Sequence, residues 1–378
     1  MIEFAVLKKS KKSKARIGIL KTAHGLIETP SLVPVATQGT IKTLDSIETI
    51  QTKSQILICN TLYLHLRPGE QLIKENGGLH KFMNWPKPLM TDSGGFQVFS
   101  WGFGRDWGVG KILKQKNKEK INLKKKPQSL KITSAGVIFR SPLDGRELFL
   151  GPKESIRIQE KLGADIIFAF DECTAPLADY QYTKSSLLRT HRWAKICLAT
   201  KRTKQALFGI VQGGKYQDLR RESARFIGSL PFAGFGIGGE FGDDKKKMIE
   251  MINLTLKELP PEKPRHLLGI GYLEDIPKII KAGIDLFDCI VPTHYARRGI
   301  AFTSRGELNL RQKKFLKDKK PLDQNCACFV CQSYQRNYLC HLLCAKEITA
   351  LKLLTFHNLY FFNTFVEKIR QKIKQGKF

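Results

Sequence analysis

Short apolar runs recur along the chain at Ser31–Ala36, Ile56–Asn60, Leu89–Ser93, Ile166–Glu172, Phe208–Gln212, Gly234–Gly239, Leu267–Gly271 and Leu286–Pro292. Each has the length and composition of a strand buried on both faces. Most of the intervals carry apolar residues at helical spacing, as in Ser155–Leu162, Ser185–Ala199, Gln217–Gly228, Lys245–Leu259 and Leu273–Ala282. Strands alternating with helices predict a parallel sheet, and eight of them predict a closed (β/α)8 barrel over a doubly wound sheet. A hairpin precedes the series, Ile17–Lys21 and Ile27–Thr29 around His24-Gly25, with Pro30 at its end. A second hairpin, Val137–Ser141 and Arg146–Leu150, turns at Asp144-Gly145 and decorates the rim.

Polar residues interrupt this pattern at a consistent place. Asn60, Asp92, Asp171, Gln212, Gly239, Gly271 and Asp288 lie in or at the end of predicted strands, mostly toward the carboxyl end. In a barrel those ends converge on one face, where active sites are built. A carboxylate in an apolar run must be paired, protonated or used, because an isolated buried charge costs several kcal/mol. Asp288 is the clearest case, flanked by Leu286, Phe287, Cys289, Ile290 and Val291, with a cationic loop from Thr293 through Arg297 and Arg298 to Gly299 beyond it.

Charge narrows the partner. The 378 residues hold 64 Lys+Arg against 34 Asp+Glu, a net +30, which favours polyanions and makes nucleic acid the leading partner class. No apolar stretch approaches the ~18 residues of a membrane span, and the lysine-rich N-terminus lacks a signal-peptide core, so a cytoplasmic protein is expected. Lys111–Lys131 carries nine lysines and one acidic residue. It lies within an insertion at 102–135, read as a solvated segment.

Cysteine usage marks a second feature. Cys59, Cys173, Cys197 and Cys289 are scattered through core elements, whereas Cys326, Cys328, Cys331, Cys340 and Cys344 crowd into one basic segment. Cys326-x-Cys328-x2-Cys331 puts three soft ligands in one loop, as tetrahedral zinc requires. The fourth ligand could be Cys340, His341, Cys344 or His357. A site closed by four protein ligands has no open position for water, so one Zn2+ would be structural. The expected division is a barrel over residues 1–300 and a zinc-binding subdomain with C-terminal helices over 301–378, with a helix from Leu351 to Gly376.

Thr91-Asp92-Ser93-Gly94-Gly95-Phe96-Gln97, Asp171-Glu172-Cys173, Gly209-Ile210-Val211-Gln212-Gly213-Gly214, Phe287-Asp288-Cys289 and the Cys326/Cys328/Cys331/His357 set together resemble the tRNA-guanine transglycosylase (queuine tRNA-ribosyltransferase) family. The resemblance runs in order along nearly the whole chain, excluding the lysine-rich insertion. It implies an α/β fold, a (β/α)8 TIM barrel with an inserted zinc subdomain. The implied reaction exchanges the wobble guanine of GUN-anticodon tRNAs for a 7-deazaguanine, queuine or preQ1. By resemblance, Asp288 is the nucleophile of a covalent ribosyl-aspartate intermediate and Asp92 the general acid/base. Asp92, Ser93, Gly94, Gly95, Phe96, Asp171, Gln212, Gly239 and Leu268 would hold the base, and Cys326, Cys328, Cys331 and His357 the metal. The anticodon loop would lie over Gly269, Ile270, Gly271, Tyr272, Leu273, Glu274 and Asp275, and over Thr293, His294, Tyr295, Ala296 and Arg297. The family forms homodimers near the zinc subdomain, and Leu359 to Phe365 would suit such a contact or burial within the monomer equally.

Three positions depart from the bacterial pattern. Phe96 replaces a tyrosine and His294 an arginine. Gly238-Gly239 is followed by Glu240-Phe241-Gly242-Asp243-Asp244 instead of a Leu-Ala-Val-Gly-Glu-like run. Gly242 in place of valine would widen the pocket for queuine, while Cys173 is the bacterial residue at its position. Exchange on DNA, archaeosine insertion and a non-catalytic binding subunit are the alternatives; intact Asp92 and Asp288 speak against the last.

Overall fold

The computed structural model describes residues 2–107, 130–175, 178–238 and 245–378. The centre of the lysine-rich insertion, Gly239 and the Glu240–Asp244 run lie outside the described residues. Eight parallel strands close into a barrel. They are β1 (Ser31–Ala36), β2 (Leu57–Cys59), β3 (Leu89–Thr91), β4 (Ile166–Phe168), β5 (Ala206–Val211), β6 (Gly234–Ile237), β7 (Arg265–Leu267) and β8 (Leu286–Cys289). Strand β8 returns to β1, with Leu286 opposite Ser31 and Asp288 opposite Val33. All eight predicted strands are present.

The barrel is filled, not hollow. Val33, Ile58, Met90, Ile166, Phe168, Phe208, Ile210 and Leu286 form an interior cluster separate from the larger one between strands and helices. Strand β6 contributes glycines where its neighbours contribute rings. A Cβ on Gly236 would sit 2.9 Å from the Phe168 ring, and one on Gly234 2.5 Å from Phe208. The amino end is plugged by an antiparallel sheet of Glu3–Lys9, Arg16–Thr22 and Gly25–Thr29, whose Leu20 and Ile27 join the interior cluster. Buried Arg16 locks that plug, its Nε donating to Asp285 Oδ1 at 2.8 Å and its Nη2 to Oδ2 at 2.5 Å. His24 and His80 close the same end on Asp165, at 2.8 and 3.2 Å, with their rings stacked. These hydrogen bonds pull the Asp165 carboxyl down to about 2 against its burial.

Two local expectations are corrected. The run ending in Pro292 is not all strand: β8 stops at Cys289, and Val291–Ala296 is a helix where a cationic loop was expected. Proline is tolerated in a first helical turn, where its missing N–H has no partner to lose, so Pro292 starts the helix instead of ending a strand. Strand β7 also begins earlier than predicted, at Arg265, which brings His266 into the barrel wall.

After the barrel, the hairpin Ile300–Thr303/Gly306–Asn309 leads to the cysteine loop. The chain ends in a helix, Ile348–Lys374, laid against the barrel. Its Asn358 accepts from the Phe302 N–H and donates to the Pro292 and Ile300 carbonyls, each at 3.0 Å. Its Leu359 and Phe362 are buried within the chain, while Tyr360, Phe361 and Phe365 are half-buried. No helix among the described residues is long and apolar enough to cross a membrane.

Candidate active site and metal centre

The carboxyl ends of the strands deliver one polar cluster. Asp92 follows β3 directly and receives four hydrogen bonds. Oδ1 accepts from the N–H groups of Thr61 (3.0 Å) and Gly94 (3.1 Å), and Oδ2 from the side chains of Asn60 (2.6 Å) and Gln97 (3.1 Å). Gly94 has φ +78°, a left-handed conformation that glycine adopts without strain, and this aims its N–H at Asp92. Asn60 is held in place because its Oδ1 caps the helix Thr61–Leu66 by accepting from the Tyr63 N–H at 3.0 Å. Burial pushes the Asp92 carboxyl up to about 6; the donors from Thr61, Gly94 and Gln97 oppose this, and the charge of Asp288 adds to it.

Asp171 stands in the loop after β4 and is 5% exposed. Ser93 Oγ donates to its Oδ1 at 3.1 Å and Gln212 Nε2 to its Oδ2 at 2.6 Å. Burial again outweighs these donors and lifts Asp171 to about 6, with neighbouring Glu172 contributing. Gln212 Oε1 is buried with no partner among the described residues. Gly95, Gly238 and Leu268 crowd the same space. A Cβ on Gly95 would meet the Asp171 carbonyl at 2.7 Å, and one on Gly238 would meet Gln212 Nε2 at 3.0 Å and Leu268 at 3.4 Å. Phe96, half-buried, opens the helix that follows Gly94.

Asp288, in β8, has a side chain 15% exposed. Its Oδ1 meets His266 Nε2 at 2.9 Å and accepts from the Gly269 N–H at 3.0 Å. The segment Gly269–Asp275 and the helix Val291–Ala296 flank it. Gly271, Asp275, Thr293 and Ala296 are buried and support these segments from beneath. Gly269, Ile270, Tyr272, Leu273, Glu274, His294, Tyr295 and Arg297 reach the surface at least in part. Arg297 Nη1 donates to the Thr293 carbonyl at 2.7 Å.

Three supporting residues were not among the site candidates that the sequence offers. His266 fell outside the predicted strand. Glu172, wholly buried, accepts from Tyr182 OH at 2.7 Å and pairs with Arg189, which anchors the loop that carries Asp171. Arg220, one of several charged residues in the helix Gln217–Gly228, is fully buried; its Nε donates to the Gly214 carbonyl (3.0 Å) and its Nη1 to that of Gly238 (2.7 Å). It ties together the loops after β5 and β6.

In the C-terminal subdomain, His357 is the residue that completes the cysteine loop. Its Nδ1 lies 3.8, 3.4 and 3.3 Å from the sulfurs of Cys326, Cys328 and Cys331. A tetrahedral ion with metal–sulfur bonds of about 2.3 Å and metal–nitrogen bonds of about 2.0–2.1 Å sets sulfur–nitrogen edges of about 3.5 Å. The four buried ligands therefore fit a metal ion. His357 Nε2 meets the Phe302 carbonyl at 2.8 Å, which orients the ring and leaves Nδ1 as the ligand atom. Cys340 points instead at the Gln312 carbonyl, and His341 is exposed. The other His/Asp cluster, His24/His80/Asp165, has hydrogen-bond spacings and is a hydrogen-bonded clasp on the opposite end of the barrel.

A closed parallel barrel with carboxylates and carboxamides converging on its carboxyl rim, and a four-ligand metal subdomain behind, defines a (β/α)8 enzyme. The sequence profile of queuine tRNA-ribosyltransferase matches residues 10–378. Queuine tRNA-ribosyltransferases from Halothermothrix orenii and Natranaerobius thermophilus are 46% and 45% identical to the chain. They cover 99% and 100% of it, and 94% and 96% of their own length is matched. One from Staphylococcus aureus is 44% identical over 379 residues, covering 100% of the chain and 93% of its own length. The chain belongs to the queuine tRNA-ribosyltransferase family and is a pentosyltransferase.

Proposed function

We propose that the protein exchanges the wobble guanine of GUN-anticodon tRNAs for a 7-deazaguanine through a ribosyl ester on Asp288. The observation that carries this reading is the convergence of Asp92, Asp171 and Asp288 on the carboxyl ends of β3, β4 and β8 in one closed barrel. An Asp288 oxygen attacks C1′ as the C1′–N9 bond breaks and its electron pair leaves with the base; protonated Asp92 supplies the proton the guanine takes up. In the second half the incoming base gives its N9 proton to the Asp92 carboxylate, N9 attacks C1′, and Asp288 leaves as carboxylate. Two displacements retain the β configuration.

Asp171 and Gln212 Oε1 are acceptors suited to the N1–H and amino edge of a guanine-like base, while Gly239 would address O6, and Phe96 and Leu268 the faces. Gln212 spends its Nε2 on Asp171, so donating to O6 requires it to turn. The surface at Gly269–Asp275 and Thr293–Arg297 would carry the anticodon loop, and the net +30 charge would draw tRNA to it. Cys326, Cys328, Cys331 and His357 would hold one Zn2+, which keeps the subdomain folded and supplies no chemistry to the exchange. Gly242 favours queuine over preQ1, and the cytoplasm and a homodimer complete the reading.

Incubation with a GUN stem-loop and a 7-deazaguanine, followed by denaturing electrophoresis, tests it. A covalent adduct that Asp288→Asn abolishes is expected; its absence from the wild type rules the mechanism out. Comparing radiolabelled guanine displacement by queuine and by preQ1 tests the base preference, and exclusive use of preQ1 defeats it.

A further inference from the structure

His266 interrupts an otherwise apolar layer. It projects from β7 to the inside of the barrel, 0% exposed, its ring edge-on to Phe168 at 5.5 Å. In the parallel register His266 lies beside Leu286, two residues before Asp288. Side chains two apart on a strand share a face, so the imidazole stands directly beneath the Asp288 carboxylate. Its Nε2 is 2.9 Å from Asp288 Oδ1, and its Nδ1 is buried with no partner among the described residues.

The orphaned nitrogen assigns the proton. A hydrogen on Nδ1 would be an unpaired buried donor, whereas a bare Nδ1 forfeits only a weaker acceptor interaction. The hydrogen-bond network therefore places the proton on Nε2, and His266 donates it to Oδ1, the oxygen that already accepts from the Gly269 N–H.

The geometry points to His266 as a positioning residue for the nucleophile: as a fixed donor from the barrel floor, it orients Asp288 and holds it ionised for attack through Oδ2. This rests on the assignment of Asp288 as nucleophile. The donor acts in both halves of the exchange. It fixes the attacking carboxylate in the first, and in the second it steadies the charge that returns to Oδ1 as the ester breaks. A hydrogen bond to an anion strengthens as that charge develops, so its loss slows ester breakdown and the adduct accumulates.

Groups whose contacts or charge reach Asp288 include His266, the Gly269 N–H, Asp92 across the rim and the adjacent Cys289 thiol, which burial holds up at about 12. Asp92 is common to every variant, so a difference between variants in the acid limb belongs to the His266–Asp288 pair.

The test compares wild type, His266→Phe and His266→Gln in guanine exchange on a GUN stem-loop. Removing the donor in the Phe variant is expected to lower kcat roughly 10- to 100-fold with KM for the stem-loop little changed. It should also move the acid limb of kcat/KM to higher pH, because a carboxylate that loses a donor binds protons more tightly, and raise the fraction of enzyme trapped as adduct. Gln keeps an N–H at similar reach and should restore most of the rate and the limb. A loss of rate with an unmoved limb and no rescue by Gln means a merely structural role and overturns the inference. So does an unchanged rate. Should the Phe variant not fold, 15N NMR of the histidine-labelled wild type decides: Nδ1 bare supports the assignment, Nδ1 protonated overturns it. If the wild type forms no adduct at Asp288, the nucleophile assignment itself fails, an outcome separate from the others.

Discussion

Asp171→Asn isolates the cost of the carboxylate proposed to read the base. Its folded value of about 6 lies above the value of about 3.9 for an unfolded aspartate. A group raised on folding contributes stability fully present below the unfolded value and lost as pH rises through the folded one. Between about pH 5 and about pH 7.5, that linkage withdraws roughly 1.4 kcal/mol from the wild type. Asparagine does not titrate, and it can be accommodated. Its carbonyl accepts from Gln212 Nε2, and its amide donates to the Ser93 hydroxyl, so neither neighbour is stranded. Urea denaturation of metal-saturated wild type and variant at the two pH values should show the difference in stability growing by about 1–1.5 kcal/mol in favour of the variant as pH rises. Binding of a free 7-deazaguanine should run the other way, tightening with pH in the wild type as Asp171 becomes a full acceptor. Parallel stability curves for the two proteins would refute the claim that burial raises Asp171.

Asn60→Ser keeps a cap for the helix Thr61–Leu66 but removes the 2.6 Å donor to Asp92, so the carboxyl should rise above its value of about 6. The pH–rate profile should shift upward by about half a unit to one unit, and an unmoved profile argues that Asp92 does not govern that limb. Arg16→Ala strands buried Asp285 and should cost about 3–5 kcal/mol in denaturation, with exchange activity per folded molecule unchanged. Cys328→Ser should release the metal, measured as metal per chain, and lower the melting temperature by several degrees; a metal-free protein with wild-type melting would show the site to be dispensable. Because Phe302 and His357 are bonded, hydrogen exchange should report loosening at Ile300–Thr303 in the same variant.

The barrel was legible because it is encoded redundantly. Buried parallel strands must be apolar throughout, so each β strand announced itself locally, and Gln217–Gly228 was read to the residue. Strand ends were less legible. Ile166–Glu172 reads as strand because the residues beyond Phe168 are also buried, and Leu267–Gly271 because Leu268 and Ile270 are apolar, yet both backbones turn to aim Asp171 and Gly269. Burial sets hydrophobicity, while strand length is set by hydrogen-bond partners in the neighbouring chain, which a single segment does not display. Pro292 misled for a related reason: proline limits strands and starts helices alike, and only the geometry after Ile290 selects between them.

The acids of the rim could be found in the sequence as exceptions to hydrophobic patterning, but their chemistry resides in pairings between segments far apart in the chain. Asp92 is tuned by Asn60, Asp171 by Gln212, and Asp288 by His266, across separations of 32, 41 and 22 residues. Each pair joins neighbouring strands of the barrel or the loops that follow them, so the fold does locally in space what the sequence keeps apart. The donors on Asp92 and Asp171 do not win against burial, and both acids settle at about 6, where a proton can be given and taken near neutrality. The pairing on Asp288 instead brings two donors to one oxygen, contacts that favour its charged form. On the proposed mechanism, an acid raised toward neutrality at Asp92 and a carboxylate fed by two donors at Asp288 would divide acid/base work from nucleophilic displacement on a single rim.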